Sequence, residues 1–83
     1  MSKPLFSEGA KKILVYLQEH IGAEADNTMI AEAVGMPVRT TSCTITSALI
    51  RKGYAKRVET DGRKVVRLTS EGRSVNPNAV VTN

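Results

Sequence analysis

The sequence carries one cysteine, one histidine and no Gly-Lys-Ser/Thr phosphate-binding motif. Cys43 has no partner thiol and no Cys-x-x-Cys context, which removes a thiolate metal site and the paired-cysteine framework of small secreted domains. His20 has no second ligand or base placed with it by the sequence, and is expected to be a partly buried structural residue near the end of a helix. The missing phosphate loop removes nucleotide hydrolysis of that type. The chain therefore reads as no enzyme, with no catalytic residue, no cofactor and no metal. No apolar run approaches the ~18 residues of a membrane span. Met1-Ser2-Lys3-Pro4-Leu5-Phe6 also lacks the apolar core of a secretory signal, so a cytoplasmic location and no membrane partner are expected.

What is present is one small domain's worth of chain, 83 residues of which 41% are hydrophobic, a composition unlike that of a disordered tail. Lysine and arginine exceed aspartate and glutamate by 12 to 8, and the excess is unevenly placed. Residues 1–35 hold Lys3, Lys11 and Lys12 against Glu8, Glu19, Glu24, Asp26 and Glu32, a local charge of −2. Residues 36–67 hold Arg39, Arg51, Lys52, Lys56, Arg57, Arg63, Lys64 and Arg67 against Glu59 and Asp61, which is +6. Such segregation is expected when one face meets a polyanion, although an ordinary solvated surface also accommodates it.

Hydrophobic periodicity organises the chain. Ala10, Ile13, Leu14, Leu17 and Ile21 fall on one face of a first helix, with Ser7 as N-cap, Glu8 in its positive first turn, Phe6 folding back as a staple and Gly22 ending it. Ala23 to Asn27 is a polar link long enough for one bridging strand. A second, two-turn helix runs from about Met29 to Val34, capped by Thr28 and stopped by Gly35, with Ile30, Ala31 and Val34 inward. Met36-Pro37-Val38 forms a turn. Residues 38 to 52 are rich in β-branched side chains, which disfavour helix, yet Val38, Thr41, Ser42, Ile45, Ala48 and Leu49 share one helical stripe, and Gly53 closes it.

The remainder predicts a hairpin. Tyr54 to Thr60 and Arg63 to Thr69 flank Asp61-Gly62, a strong signal for a two-residue type I′ turn. Counting outward pairs Thr60 with Arg63, Glu59 with Lys64, Val58 with Val65, Arg57 with Val66, Lys56 with Arg67 and Ala55 with Leu68. Ala55, Val66 and Leu68 would then cover the helices, with Lys56, Val58, Arg63, Val65 and Arg67 on the outer face. Lys56 opposite Arg67 is a like-charge pair that opposes folding by a fraction of a kcal/mol, about 0.2 to 1. A phosphate between them would reverse the sign; two side chains splaying into solvent would also relieve it.

Helix, short helix, turn, longer helix and basic hairpin is the order of an α+β winged helix-turn-helix. Ile30-Ala31-Glu32-Ala33-Val34-Gly35-Met36 resembles the second helix and turn of that fold. Ala48-Leu49-Ile50-Arg51-Lys52-Gly53-Tyr54, Asp61-Gly62-Arg63 and Leu68-Thr69-Ser70-Glu71-Gly72-Arg73 are similar to the recognition-helix end, wing and post-wing segment of MarR-type transcriptional regulators. The resemblance covers about residues 28 to 73. It implies a DNA-binding domain over residues 1–73, followed by a flexible tail over 74–83. MarR-type regulators add long helices on both sides of this core, which form the dimer and enclose the ligand pocket. Only ten residues follow Arg73 and Asn76-Pro77-Asn78 breaks a helix there, so no small-molecule effector is expected. The spacing from Gly35 to Gly53 is about one residue longer than the family's, and the wing slightly shorter.

The resemblance also implies chemistry. The third helix of a helix-turn-helix presents its N-terminal residues to base edges in the major groove. With Ile45 inward, Arg39, Thr40, Cys43, Thr46, Ser47 and Ile50 lie outward, with Thr44 at the flank. Arg39 suits bidentate readout of guanine, worth about 1 to 3 kcal/mol, and equally suits a phosphate clamp. Arg63 and Lys64 fit a wing tip in the minor groove or on the backbone, while Lys56, Arg57 and Arg67 would neutralise phosphates; Arg51 lies at the helix end. Five such wing contacts would give a salt slope of about −4 to −5.

Double-stranded DNA is the expected partner, in a small regulator of a bacterial, archaeal or phage setting, with a homodimer joined through Leu5, Phe6, Val15, Tyr16, Val75, Val80 or Val81. A redox role for Cys43 on the DNA-facing helix is open. The competing reading is a winged-helix protein-interaction module, an adaptor or an inhibitor of a polymerase or nuclease, favoured by outward Ile50, Val58 and Val65.

Overall fold

The computed structural model describes residues 2–21 and 24–82, without the side chains of Ser2, Val81 and Thr82. The chain runs β1 (Ser2–Pro4), α1 (Glu8–Glu19), α2 (Asn27–Val34), α3 (Val38–Thr44) continued by a π-helical segment (Ile45–Ile50), β2 (Ala55–Thr60), β3 (Arg63–Leu68), α4 (Ser70–Ser74) and β4 (Val80–Thr82).

Ser7 caps α1 as expected, its Oγ accepting from the Ala10 N–H at 3.3 Å. Ala10, Ile13, Leu14 and Leu17 are buried, whereas Ile21 lies beyond the helix and is exposed. Gly22 falls outside the described residues. Phe6 is buried, but its ring meets Tyr54 edge-on at 5.3 Å, so it joins the start of the chain to the segment before the wing.

The second helix starts two residues earlier than its sequence suggests. Asp26, not Thr28, is the cap, accepting from the Met29 N–H at 2.9 Å. Both residue types cap well, and aspartate is the stronger of the two. Gly35 ends the helix in the left-handed conformation at φ 72°. Ile30 and Ala31 are buried and Val34 is half-buried.

In the third helix Thr41, Ile45 and Leu49 are buried, while Val38, placed inward by its periodicity, is 46% exposed in the first turn. From Ile45 onward the helix widens, and the Arg51 N–H reaches back five residues to the Thr46 carbonyl at 3.0 Å. A π turn takes up one more residue than an α turn.

The hairpin has the expected register at all six pairs, from Ala55–Leu68 to Thr60–Arg63. Asp61 and Gly62 both have positive φ, 50° and 76°, as a type I′ turn requires. Ala55, Val66 and Leu68 are buried, as expected, but so is Val65, and Val58 is half-buried. The bridging strand of the 23–27 link is a single bridge, Ala25 with Val66, in which the Val66 N–H donates to the Ala25 carbonyl at 2.9 Å.

Two features go beyond the sequence reading. Thr69 caps the short helix α4, accepting from the Gly72 N–H at 3.2 Å, and Gln18 of α1 holds that helix by donating to the carbonyls of Gly72 (2.9 Å) and Val75 (2.8 Å). The tail then turns back instead of running free, because β4 pairs antiparallel with β1 and the Leu5 N–H donates to the Ala79 carbonyl at 2.9 Å.

Candidate nucleic-acid interface

The first turns of α3 project from the core on the support of Thr41, whose hydroxyl donates to the Pro37 carbonyl at 2.9 Å and is fully buried. This leaves Arg39, Thr40, Cys43, Thr46 and Ser47 exposed, with Thr44 half-buried beside them. Ser47 and Thr46 donate their hydroxyl protons to carbonyls one turn back, Cys43 at 2.8 Å and Ser42 at 3.0 Å, so their oxygens remain as acceptors. Arg39 stands in the first turn, where the helix dipole is positive and a cation is disfavoured by about 0.3 to 1 kcal/mol. It has no acidic partner among the described residues. Folding gains nothing from a cation in this place.

The wing cations divide into three kinds. Lys56 and Lys64 are exposed and, like Arg51 at the helix end, unpaired among the described residues. Arg63 and Arg67 lean toward the link between α1 and α2. Arg63 donates to the Glu24 carbonyl at 2.9 Å and lies 3.9 Å from the Asp26 carboxylate, and Arg67 pairs with Glu24 at 3.5 Å. The Lys56–Arg67 repulsion is thus relieved inside the molecule, by a carboxylate beside Arg67. These pairs are half-exposed, and such pairs contribute only about 0 to 1 kcal/mol. A phosphate can displace them at small cost. Arg57 differs from all of these, being half-buried and turned back onto the third helix, where it donates to Thr46 Oγ1 at 3.0 Å.

Comparison with solved structures supplies the context for this geometry. The crystal structure of MepR, a transcription regulator of the Staphylococcus aureus multidrug efflux pump MepA, matches with a TM-score of 0.74 at 28% identity, over 82% of this chain and 50% of that one. MepR bound to ethidium bromide matches with a TM-score of 0.73 at 25% identity and the same coverage. The chain is a MarR-like winged helix. It spans about half the length of the MepR chains it matches. No family model and no curated protein matches it.

For this MarR-like winged helix, the comparison establishes the fold, and the protein matched in both structures, MepR, is a transcription regulator. One of them holds ethidium bromide, so the comparison gives no support to an absence of effectors. No described helix is long and apolar enough to cross a membrane, and the described residues contain no cluster of three potential metal ligands.

Several sequence expectations change. His20 is exposed, not partly buried; it stacks on Tyr16 at 4.4 Å, and its Nδ1 bonds the Tyr16 carbonyl at 2.8 Å at the end of α1. Of the apolar residues expected at a dimer contact, Phe6 is buried in the core and Leu5, Tyr16 and Val75 pack against it, leaving Val15 and Val80 exposed; the Val81 side chain lies outside the described residues. Ile50, Val58 and Val65 form no outward apolar face, since Val65 is fully buried and the other two are half-buried. The polar roles of Glu24, Asp26 and Asn27 were missed. The link's acidic composition was the only signal of them.

Proposed function

We propose that this protein is a sequence-specific double-stranded DNA-binding protein, a small transcriptional regulator that places its third helix in the major groove and its wing on the backbone or in the minor groove. The observation that carries the reading is Arg39. An unpaired guanidinium at the positive end of α3, exposed beside Thr40, Cys43 and Ser47, is unfavourable for the isolated domain and favourable against a polyanion. Thr44 flanks this face. Lys56 and Lys64 contact phosphates directly, Arg51 does so from the helix end, and Arg63 and Arg67 do so by exchanging Asp26 and Glu24 for phosphate oxygens. A second copy, meeting the first through Val15 or Val80, raises affinity by presenting two modules to paired half-sites. The protein-interaction reading is weakened, since of the apolar side chains on which it rested Val65 is buried and Ile50 and Val58 are half-buried.

The test is fluorescence anisotropy with random duplex DNA at two salt concentrations. Wild-type protein should bind with a slope of about −4 to −5, for five phosphate contacts, four on the wing and one at Arg51, each releasing about 0.9 counterion. The variant with Lys56, Arg63 and Arg67 all changed to glutamate should bind far more weakly, with a shallow slope. Equal behaviour of the two proteins, or salt-insensitive binding, removes the proposal.

A further inference from the structure

We infer that Arg57 is a positioning residue, which braces the third helix against the wing and does not bind the DNA backbone; the inference rests on the DNA-binding reading above. In β2, Arg57 pairs with Val66 and shares the face on which Ala55 is buried, so strand alternation sends its side chain toward the helices while Lys56 points away. Its Nη1 donates to Thr46 Oγ1 at 3.0 Å and its Nη2 to Ser42 Oγ at 3.4 Å. Ser42 and Thr46 are one turn apart and lie on either side of the point where α geometry gives way to π. A planar guanidinium fork can reach two such acceptors at once, and a single ammonium cannot hold both in the same geometry.

The hydroxyls are committed in a complementary way. Thr46 gives its proton to the Ser42 carbonyl and receives Arg57 on its oxygen. Ser42 Oγ also accepts from Asn27 Nδ2 at 3.2 Å, which extends the connection to the first residue of α2. One side chain therefore ties the wing, the middle of the third helix and the helix before it. The place is significant, because a π segment departs from regular helical winding and the wing cations Arg63 and Arg67 hold the link and the start of α2, not the third helix. Without Arg57, no other hydrogen bond among the described residues joins a wing side chain to the third helix. The angle at which Arg39, Cys43 and Ser47 meet base edges then follows from this brace.

The brace is tested with five proteins: wild type, Arg57→Lys, Arg57→Gln, Ser42→Ala combined with Thr46→Val, which removes both acceptors, and that pair with Arg57→Gln added. Each is titrated across a salt series onto random duplex and onto a duplex that the wild-type protein selects from a randomised library. A brace predicts that Arg57→Lys, which keeps the charge and loses the fork, loses preference for the selected duplex by roughly tenfold or more, the worth of about one base contact. Its salt slope should stay at the wild-type value. The Ser42/Thr46 variant should lose the same preference, and adding Arg57→Gln to it should cost nothing further.

A phosphate ligand predicts the opposite pattern. Arg57→Lys would then bind as wild type, and Arg57→Gln would weaken both duplexes alike and flatten the slope by about 0.9. That result overturns the inference. If wild type binds neither duplex, the DNA reading fails on its own, and the brace is read from thermal unfolding of the same variants. Non-additive losses between Arg57→Gln and the Ser42/Thr46 pair then support it, and additive losses overturn it.

Discussion

Gly72 has no room for a side chain. A Cβ at this position would overlap the Tyr54 carbonyl oxygen, which already accepts the Thr69 N–H at 3.0 Å and cannot retreat without breaking the turn after the third helix. Gly72→Ala is therefore expected to destabilise the protein by about 2 kcal/mol or more, since the clash is with backbone. Thermal unfolding should show a fall of roughly 8 °C or more for a domain of this size. A melting temperature within a degree or two of wild type would contradict the close approach. Nothing in the sequence around Gly72 announces this contact, which joins residues eighteen apart. The same holds for Arg63 and Arg67. Strand alternation assigns each to the outer face, but the carboxylates they meet belong to Glu24 and Asp26, and only the folded chain brings those near.

Among the elements, α2 depends most on its cap. It has eight residues and two buried side chains, and a helix so short is marginal without tertiary support. Asp26→Ala should lower stability by about 1 kcal/mol, within the usual range of about 0.5 to 2 for a lost cap. Asp26→Asn keeps the cap oxygen and removes only the exposed pair with Arg63, so it should unfold close to wild type, as should Thr28→Ala. Denaturant unfolding of the three variants checks this, and an equal loss in all three would deny Asp26 the capping role.

The hairpin was legible to the residue because a type I′ turn fixes the register of both strands. The start of α2 was not, because Asp26 and Thr28 are both competent caps two residues apart. The π segment was not legible either. Periodicity near 100° per residue does not separate α from π over six residues, and it also placed Val38 inward, although the first turn of α3 stands clear of the core. The face carrying Arg39, Thr40, Cys43 and Ser47 was legible because Thr41, Ile45 and Leu49 fix its opposite side. What Arg57 touches was not, since an inward strand position says nothing about which hydroxyls lie below it.

At the scale of the whole molecule, the division of charge in the sequence is softened by folding. Glu24 and Asp26, counted with the acidic first part of the chain, lie against the wing. The molecule therefore presents less free positive charge than a count over residues 36–67 implies, with Arg39, Arg51, Lys52, Lys56, Arg57 and Lys64 lacking an acidic partner among the described residues. The wing is also anchored along its length, at Ala25 by a backbone bridge and at Glu24 and Asp26 by side chains, so it moves with the helices instead of swinging from the turn at Gly53.

The pairing of β1 with β4 sets Ser2 opposite Thr82, so the chain comes close to being a ring. A backbone-cyclised form, closed by a short flexible linker across the two ends, should keep the fold and lose conformational freedom only when unfolded. In the chain-entropy description, closing a loop of this size is worth about 4.5 kcal/mol, less any strain in the linker. Its melting temperature should rise by roughly ten degrees or more over the open chain, and a fall would mean that the clasp is not the resting geometry of the two strands. In such a ring the recognition helix and wing stay free of the splice.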